Sequence, residues 1–88
     1  MITRSALRQF PNMRAAHAAL LQLDAEYLRT NKRKSGLELT LCSTFVPMLD
    51  ERGRQSGERE VIEVRCVYDA PTQDADYQWF KERAEGLT

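Results

Sequence analysis

Side chains that bind metal ions or build disulfide frameworks are scarce in this sequence. Its 88 residues include one histidine and two cysteines, Cys42 and Cys66. A zinc site of two cysteines and two histidines, or of four cysteines, cannot be assembled from that set within one chain. Secreted domains stapled by disulfides usually carry about four or more cysteines. We therefore expect two reduced thiols and no bound metal.

Long apolar runs are lacking as well. The longest uncharged stretch, residues 39–49, is interrupted by Thr40, Ser43, Thr44 and Pro47. A membrane-spanning helix needs about 20 predominantly apolar residues, so this stretch is too short. The first residues also lack the apolar run and the small-residue cleavage site of a secretory signal peptide. These absences predict no membrane span and a cytoplasmic location.

Catalytic and cofactor-binding motifs are not evident either. His17 lies among alanines, with no serine or cysteine nucleophile near it in the sequence. Gly53 and Gly57 do not have the spacing of a phosphate-binding loop. Asp74 and Asp76 lie two residues apart on a predicted helix, so they point in different directions and form no acid/base pair. We expect a protein that is not an enzyme and has no cofactor.

The overall composition is that of a folded domain. Apolar residues make up 42% of the chain and charged residues 30%, which is too apolar for a disordered tail. A chain of this length corresponds to about one small domain. We therefore predict a single α+β domain over residues 1–88.

The first half of the chain contains one segment with clear helical spacing. Apolar residues recur there at Met13, Ala16, Leu20, Leu23 and Tyr27. This spacing predicts a long helix that is capped by Asn12 and ends near Arg29 or Thr30. Ahead of it, Thr3 is a candidate cap for one or two helical turns that end at Phe10.

Two later segments alternate in the manner of half-buried strands. In the first, apolar side chains fall on odd positions, at Leu37, Leu39, Leu41 and Phe45. In the second, residues 61–68, they fall on even positions. The intervening residues 50–60 are polar, so the two strands are predicted to form a long antiparallel hairpin.

The register of this hairpin decides which side chains share a face. Pairing Leu41 with Cys66 and Phe45 with Ile62 puts most of the large apolar side chains on one face. Cys42 then lies on the face opposite to Cys66. An intramolecular disulfide is therefore not expected.

A second helix completes the predicted fold. It covers residues 73–85, with Thr72 as its N-cap and Gly86 as its stop. The predicted element order is α-β-β-α, in which the hairpin packs against the long N-terminal helix and the C-terminal helix. Because a two-stranded hairpin is marginal alone, its free edges need a helix, a second copy or a partner.

Charge is distributed unevenly along the chain. Residues 1–34 hold seven basic and two acidic side chains, a net of +5, whereas residues 35–88 hold six and eleven, a net of −5. Four of the cations lie close together at the end of the main helix: Arg29, Lys32, Arg33 and Lys34. They are a candidate contact surface for nucleic acid or for an acidic protein. Alternatively, they complement the helix dipole within a solvated loop.

Two further surfaces are candidates for contact with a partner. The hairpin loop carries Arg52, Arg54 and Arg59, and it either enters a groove on a partner or is simply solvated. Trp79 is adjacent to Phe80, and both cannot point squarely into one small core from the same helix. Trp79 is therefore a candidate exposed anchor, unless a wide apolar face buries both rings.

Taken together, these features favour a small non-enzymatic binding protein that docks on a larger macromolecular complex as an inhibitor or regulator, with a protein as its partner. Many proteins of phages and mobile elements, including anti-CRISPR proteins, are small single-domain proteins of this kind. One alternative is a nucleic-acid-binding or transcription-regulating module that uses the basic helix and loop. Another is a subunit of a homo-oligomer such as a homodimer, in which the basic half of one copy meets the acidic half of another.

Overall fold

The computed structural model describes residues 1–87 and contains a three-stranded antiparallel sheet with two helices. The elements are, in chain order, β1 (Ile2–Phe10), α1 (Met13–Asn31), β2 (Glu38–Leu49), β3 (Gln55–Asp69) and α2 (Ala70–Glu85). The strands are arranged in the order β1-β3-β2, so β3 is the central strand. The α+β class is confirmed. The predicted order α-β-β-α was incomplete because it omitted the N-terminal strand.

That strand, β1, replaces the helical turns predicted before Pro11. It pairs antiparallel with β3, from Ile2 opposite Asp69 to Phe10 opposite Ile62. Leu7 is the one fully buried side chain of β1. The buried face of a strand normally carries an apolar side chain at every second residue. Here five of the nine residues are polar, namely Thr3, Arg4, Ser5, Arg8 and Gln9, so the sequence contains little signal for the strand.

The long helix α1 was predicted well. The side chain of Asn12 accepts a hydrogen bond from the Ala15 backbone N–H at 2.9 Å and caps the helix. At the other end Lys32 adopts a left-handed conformation, with φ of 59°, and its N–H donates to the carbonyl of Leu28 at 2.9 Å. The helix therefore ends at Asn31, and the basic segment continues beyond it to Lys34.

The last helix, α2, begins three residues earlier than predicted. Its N-cap is Asp69 rather than Thr72, and the Thr72 hydroxyl donates to Asp69 Oδ2 at 2.6 Å. Pro71 is tolerated in the first turn because the N–H that it lacks has no partner within a helix at that position. The predicted stop at Gly86 is confirmed.

The core lies between the two helices and one face of the sheet. Even-numbered side chains of β3 form the sheet side of this core: Ile62, Val64, Cys66 and Tyr68. On the helix side, the ring of Tyr27 stacks on Phe80 with 5.2 Å between centroids. Of the described elements, neither helix covers the other face of the sheet, which we call the helix-free face. No helix in the described part of the chain is long and apolar enough to cross a membrane.

The hairpin has the predicted faces but not the predicted register. Leu41 lies opposite Val64 instead of Cys66, and Phe45 lies opposite Glu60. The error is a shift of two residues, which keeps every side chain on its face because the side-chain period is two. Cys42 therefore lies on the helix-free face, as predicted, and both thiols are free.

The two thiols are expected to differ in reactivity. Cys66 is fully buried, and burial raises the pKa of its thiol to about 11. Since the thiolate is the reactive form, maleimide should modify only Cys42 in the folded protein. Mass spectrometry should then show one adduct under native conditions and two after denaturation. Equal labelling of both thiols in the native state would contradict this arrangement, and the Cys42→Ser variant is the control.

Candidate functional site

Part of the hairpin extends beyond the rest of the sheet. β1 pairs with residues 62–69 of β3, so within residues 1–87 the remainder of β3 pairs with β2 alone. We call this two-stranded portion, residues 44–61, the arm, and residues 48–54 at its end the tip. The arm contributes to the elongated shape of the molecule, whose principal extents are 48 × 27 × 18 Å.

Large apolar side chains are exposed on the arm. Phe45 is 62% exposed, Met48 is 41% exposed and Leu49 is 65% exposed. Their cross-strand neighbours offer no apolar cover, because Phe45 lies opposite Glu60 and Met48 lies opposite Gly57. Because the β3 partners of Phe45 and Met48 differ in parity, these two side chains lie on opposite faces of the arm, and apolar surface is exposed on both faces. Exposed apolar surface of this extent is typical of binding surfaces rather than of a solvated loop.

The turn at the tip is held by backbone hydrogen bonds. The Asp50 carboxylate accepts the backbone N–H groups of Arg52 and Arg54, both at 2.9 Å. The Asp50 N–H also donates to the carbonyl of Arg54 at 2.8 Å. Among residues 1–87, the guanidinium groups of Arg52 and Arg54 are in no ion pair. The tip thus has a defined backbone and two cations that remain open to a partner.

An irregularity in the ladder sets the direction of the tip. The register of β2 against β3 shifts between Met48 and Leu49. Gly57, which lies opposite Met48, has φ of 135°, a conformation that side chains with a Cβ rarely adopt. Such bulges bend the strand and increase its twist. The backbone conformation at Gly57 therefore contributes to the orientation of the neighbouring Leu49.

The basic segment at the end of α1 is partly engaged in the fold. All four cations, Arg29, Lys32, Arg33 and Lys34, are exposed. Arg33 also donates to Asp76 Oδ1 at 3.1 Å. Tyr27 donates its hydroxyl to the same oxygen at 2.5 Å.

This network ties the basic segment to α2 through one carboxylate. Burial, together with the hydrogen bond to Asp76, raises the pKa of Tyr27. The phenol therefore stays protonated and keeps donating to the carboxylate. Arg33 serves as a link between the loop and α2, whereas its exposed neighbours retain free cationic groups.

The predicted cations do not form one surface. The basic segment precedes β2, whereas Arg52 and Arg54 follow it, so the length of that strand separates the two groups of cations, about 36 Å at 3.3 Å per residue. Arg59 lies on β3 opposite Val46. The two groups of cations therefore lie near opposite ends of β2.

Trp79 lies at the edge of the core. It is half-buried and packs edge-on against Tyr27 and Phe80, with 5.1 Å between ring centroids in each case. The guanidinium of Arg83 lies over its outer face at 5.5 Å. A role for Trp79 at an interface stays a prediction.

One groove of about 530 Å³ lies between α1 and the segment that leads into β2. Its lining residues are Asp24, Ala25, Tyr27, Leu28, Lys34, Ser35, Gly36 and Leu37. Among residues 1–87, no group of three or more histidine, cysteine or carboxylate side chains lies close enough together to hold a metal ion.

The exposed apolar side chains of the arm were not predicted from the sequence. Phe45 was predicted to lie in the core because it has the same parity as Leu41. The available signal was the composition of the facing strand, where Glu58, Arg59 and Glu60 offer nothing apolar to pack against. An apolar strand facing a charged one indicates that the apolar side chains are covered by something else or remain exposed.

These features define a small α+β domain with a projecting two-stranded arm. No family model, curated protein or solved structure matches this chain.

Proposed function

We propose that this protein is a non-enzymatic binding protein that docks on a larger protein assembly through the tip of its arm, as an inhibitor or regulator. The observation that carries the proposal is the exposure of Leu49 and Met48 at the far end of a hydrogen-bonded ribbon. Arg52 and Arg54 flank them in an ordered turn.

The chemistry of the tip fits a protein partner. Methionine and arginine are enriched at protein interfaces relative to the rest of the surface. Burying one leucine or methionine side chain contributes about 1.5–3 kcal/mol. Met48 and Leu49 are consecutive strand residues, so their side chains point to opposite faces of the arm. A partner cleft with apolar walls on both sides and acidic groups at its end would take these two side chains and the two guanidinium groups.

The shape of the tip fits insertion. Because the arm extends beyond β1, its end is narrow and two strands wide. A ribbon of that width can enter a cleft that would exclude the helical layer. The ordered turn limits the entropy that binding has to remove.

The proposal predicts that Leu49→Asp lowers capture of the partner at least tenfold. The tagged protein would be used to capture partners from a lysate of its source cell, after nuclease treatment, with mass spectrometric detection. A tenfold loss corresponds to about 1.4 kcal/mol, which is less than the burial of one leucine contributes. The thermal melt should stay close to that of the unmodified protein because Leu49 is exposed.

Met13→Asp is the matched control. It makes the same kind of change at an exposed apolar side chain of α1, away from the arm, and should leave capture unchanged. Equal capture by all three proteins would overturn the docking proposal. Capture that disappears on nuclease treatment would instead favour the nucleic-acid-binding function.

A further inference from the structure

We propose that a second copy of this chain pairs with the free edge of β2, so that two three-stranded sheets join into one sheet of six strands. The pairing uses the backbone edge of β2 ahead of the tip, over residues 39–47, whereas the docking proposal uses side chains of the tip, whose first two residues are the last two of the same strand. It rests on the contrast between the two edges of the sheet, on apolar side chains beside one of them, and on the charges around that edge.

The two edges of the sheet are protected to different degrees. β1 and β2 are both edge strands because β3 is central. Natural edge strands are shielded from pairing by charged side chains, prolines and bulges. β1 has all the usual shielding except proline: it carries Arg4 and Arg8 and an irregular register between Ala6 and Arg8. β2 carries no charge over residues 39–49, and both its one proline, Pro47, and its register shift between Met48 and Leu49 lie near its far end.

Apolar side chains lie beside the unprotected edge. Asp24, Ala25 and Leu28 line the groove against the segment that enters β2, so this stripe of α1 faces the β2 side of the molecule. Leu21 belongs to the same stripe, since residues three, four and seven apart share a helix face. Both Leu21 and Leu28 are half exposed. A second copy on the β2 edge would cover them.

Symmetry favours a second copy as the occupant. Antiparallel pairing of two β2 strands about a two-fold axis keeps both pairs of helices on the same side of the joint sheet. Each residue then faces a residue from the same face of the other copy, where like charges would repel. Because β2 is uncharged along its middle, no like charges meet at the axis.

Charges of opposite sign lie before and after β2. Lys34 precedes the strand, and Asp50 and Glu51 follow it at once, ahead of Arg52 and Arg54. Antiparallel pairing brings the start of one β2 beside the end of the other. Lys34 of each copy then lies nearer to the acidic pair of the second copy than to the two arginines that come after that pair.

Cys42 lies close to the centre of the uncharged stretch and reports on the pairing. In a symmetric pair the two Cys42 side chains share the helix-free face, with Cβ atoms about 4.5–8 Å apart for the central registers. A short bis-maleimide should therefore join two chains into a species of twice 10.2 kDa. Cys66 is fully buried and does not interfere.

The cross-linking control moves the thiol to the other edge. In a Cys42→Ser background, Ala6→Cys places an exposed cysteine on β1, also on the helix-free face. The β2 proposal predicts an efficient cross-link at Cys42 and only a collisional background at residue 6. Equal cross-linking at the two positions would overturn it.

A second experiment tests the interface without a cross-linking reagent. Ser43 is exposed on β2, so Ser43→Lys should fold normally while placing like charges at the axis. Light scattering over a concentration series should show a dimer for the unmodified protein, and dissociation at concentrations at least tenfold higher for Ser43→Lys. Ala6→Lys on β1 should behave as the unmodified protein. A monomer at every concentration, or a dimer that only Ala6→Lys weakens, would overturn the inference.

Failure of the pairing inference can be distinguished from failure of the docking proposal. Leu49→Asp should dimerise normally, and Ser43→Lys should still capture the partner through its tip. If no dimer forms but capture still depends on Leu49, the pairing inference fails and the docking proposal stands. If the dimer forms but capture is independent of Leu49, the reverse holds.

Discussion

Replacing Phe80 by alanine should lower the free energy of unfolding by about 3–5 kcal/mol. The ring is fully buried, stacks on Tyr27 and is contacted edge-on by Trp79, so its removal leaves a cavity at the centre of the core. Small domains are stable by about 5–15 kcal/mol, so the loss would remove much of the total. Urea denaturation followed by circular dichroism measures the change.

Trp79→Ala is the informative comparison because the two residues are adjacent in the sequence. Trp79 is half-buried at the edge of the core, so its removal should cost less than that of Phe80 although it deletes more atoms. If Trp79→Ala proved the more damaging change, Trp79 would be the central side chain and the described packing would be wrong.

Replacing Leu7 by alanine should cost about 2–5 kcal/mol. Leu7 is only 5% exposed and belongs to the same core cluster as Phe80. Its loss therefore weakens the attachment of β1 as well as the core. The surface helical turns that the sequence suggested for this segment would tolerate the change at little cost.

Ile2→Ala provides the control on the same strand. Ile2 is 67% exposed, and substitutions at such surface positions usually change stability by less than about 0.5 kcal/mol. Thermal melts of both variants separate a docked strand from a loosely attached terminus. Similar melting temperatures for Leu7→Ala and Ile2→Ala would mean that β1 does not contribute to the core.

The elements that could be predicted from the sequence are those whose signals are local. The stripe from Ala16 to Tyr27 and the cap at Asn12 define α1 without reference to the rest of the chain. The alternation in residues 61–68 defines the buried face of β3 in the same way. In both cases burial follows directly from the spacing of apolar side chains.

The elements that could not be predicted depend on distant partners. β1 is a strand because β3 offers it a free edge, and only Leu7 among its residues is fully buried. The register of the hairpin was wrong by two residues because parity fixes faces but leaves every even shift open. In a hairpin the turn fixes the register, and the length of this turn is not visible in the alternation of β2.

The candidate site shows the same division. Charge alone picked out Lys32, Lys34, Arg52 and Arg54 as exposed cations, but it could not show that a full strand separates the two pairs. The apolar side chains at the tip were overlooked because Phe45, which shares their strand, was assigned to the core. Both errors arose because the register of the hairpin and the length over which β1 pairs with β3 could not be predicted from the sequence.

The continuity of β3 has a consequence for how the protein would grip a partner. β3 runs as one strand from Gln55 beside the tip to Asp69 in the body, and the bulge near Gly57 interrupts its pairing with β2 close to the tip. The direction of the tip is therefore settled when the chain folds. A flexible loop must instead be immobilised on contact, at about 1–2 kcal/mol per residue. A pull on the tip would also be transmitted along the strand into the core, so the arm would act as a rigid lever rather than as a tether.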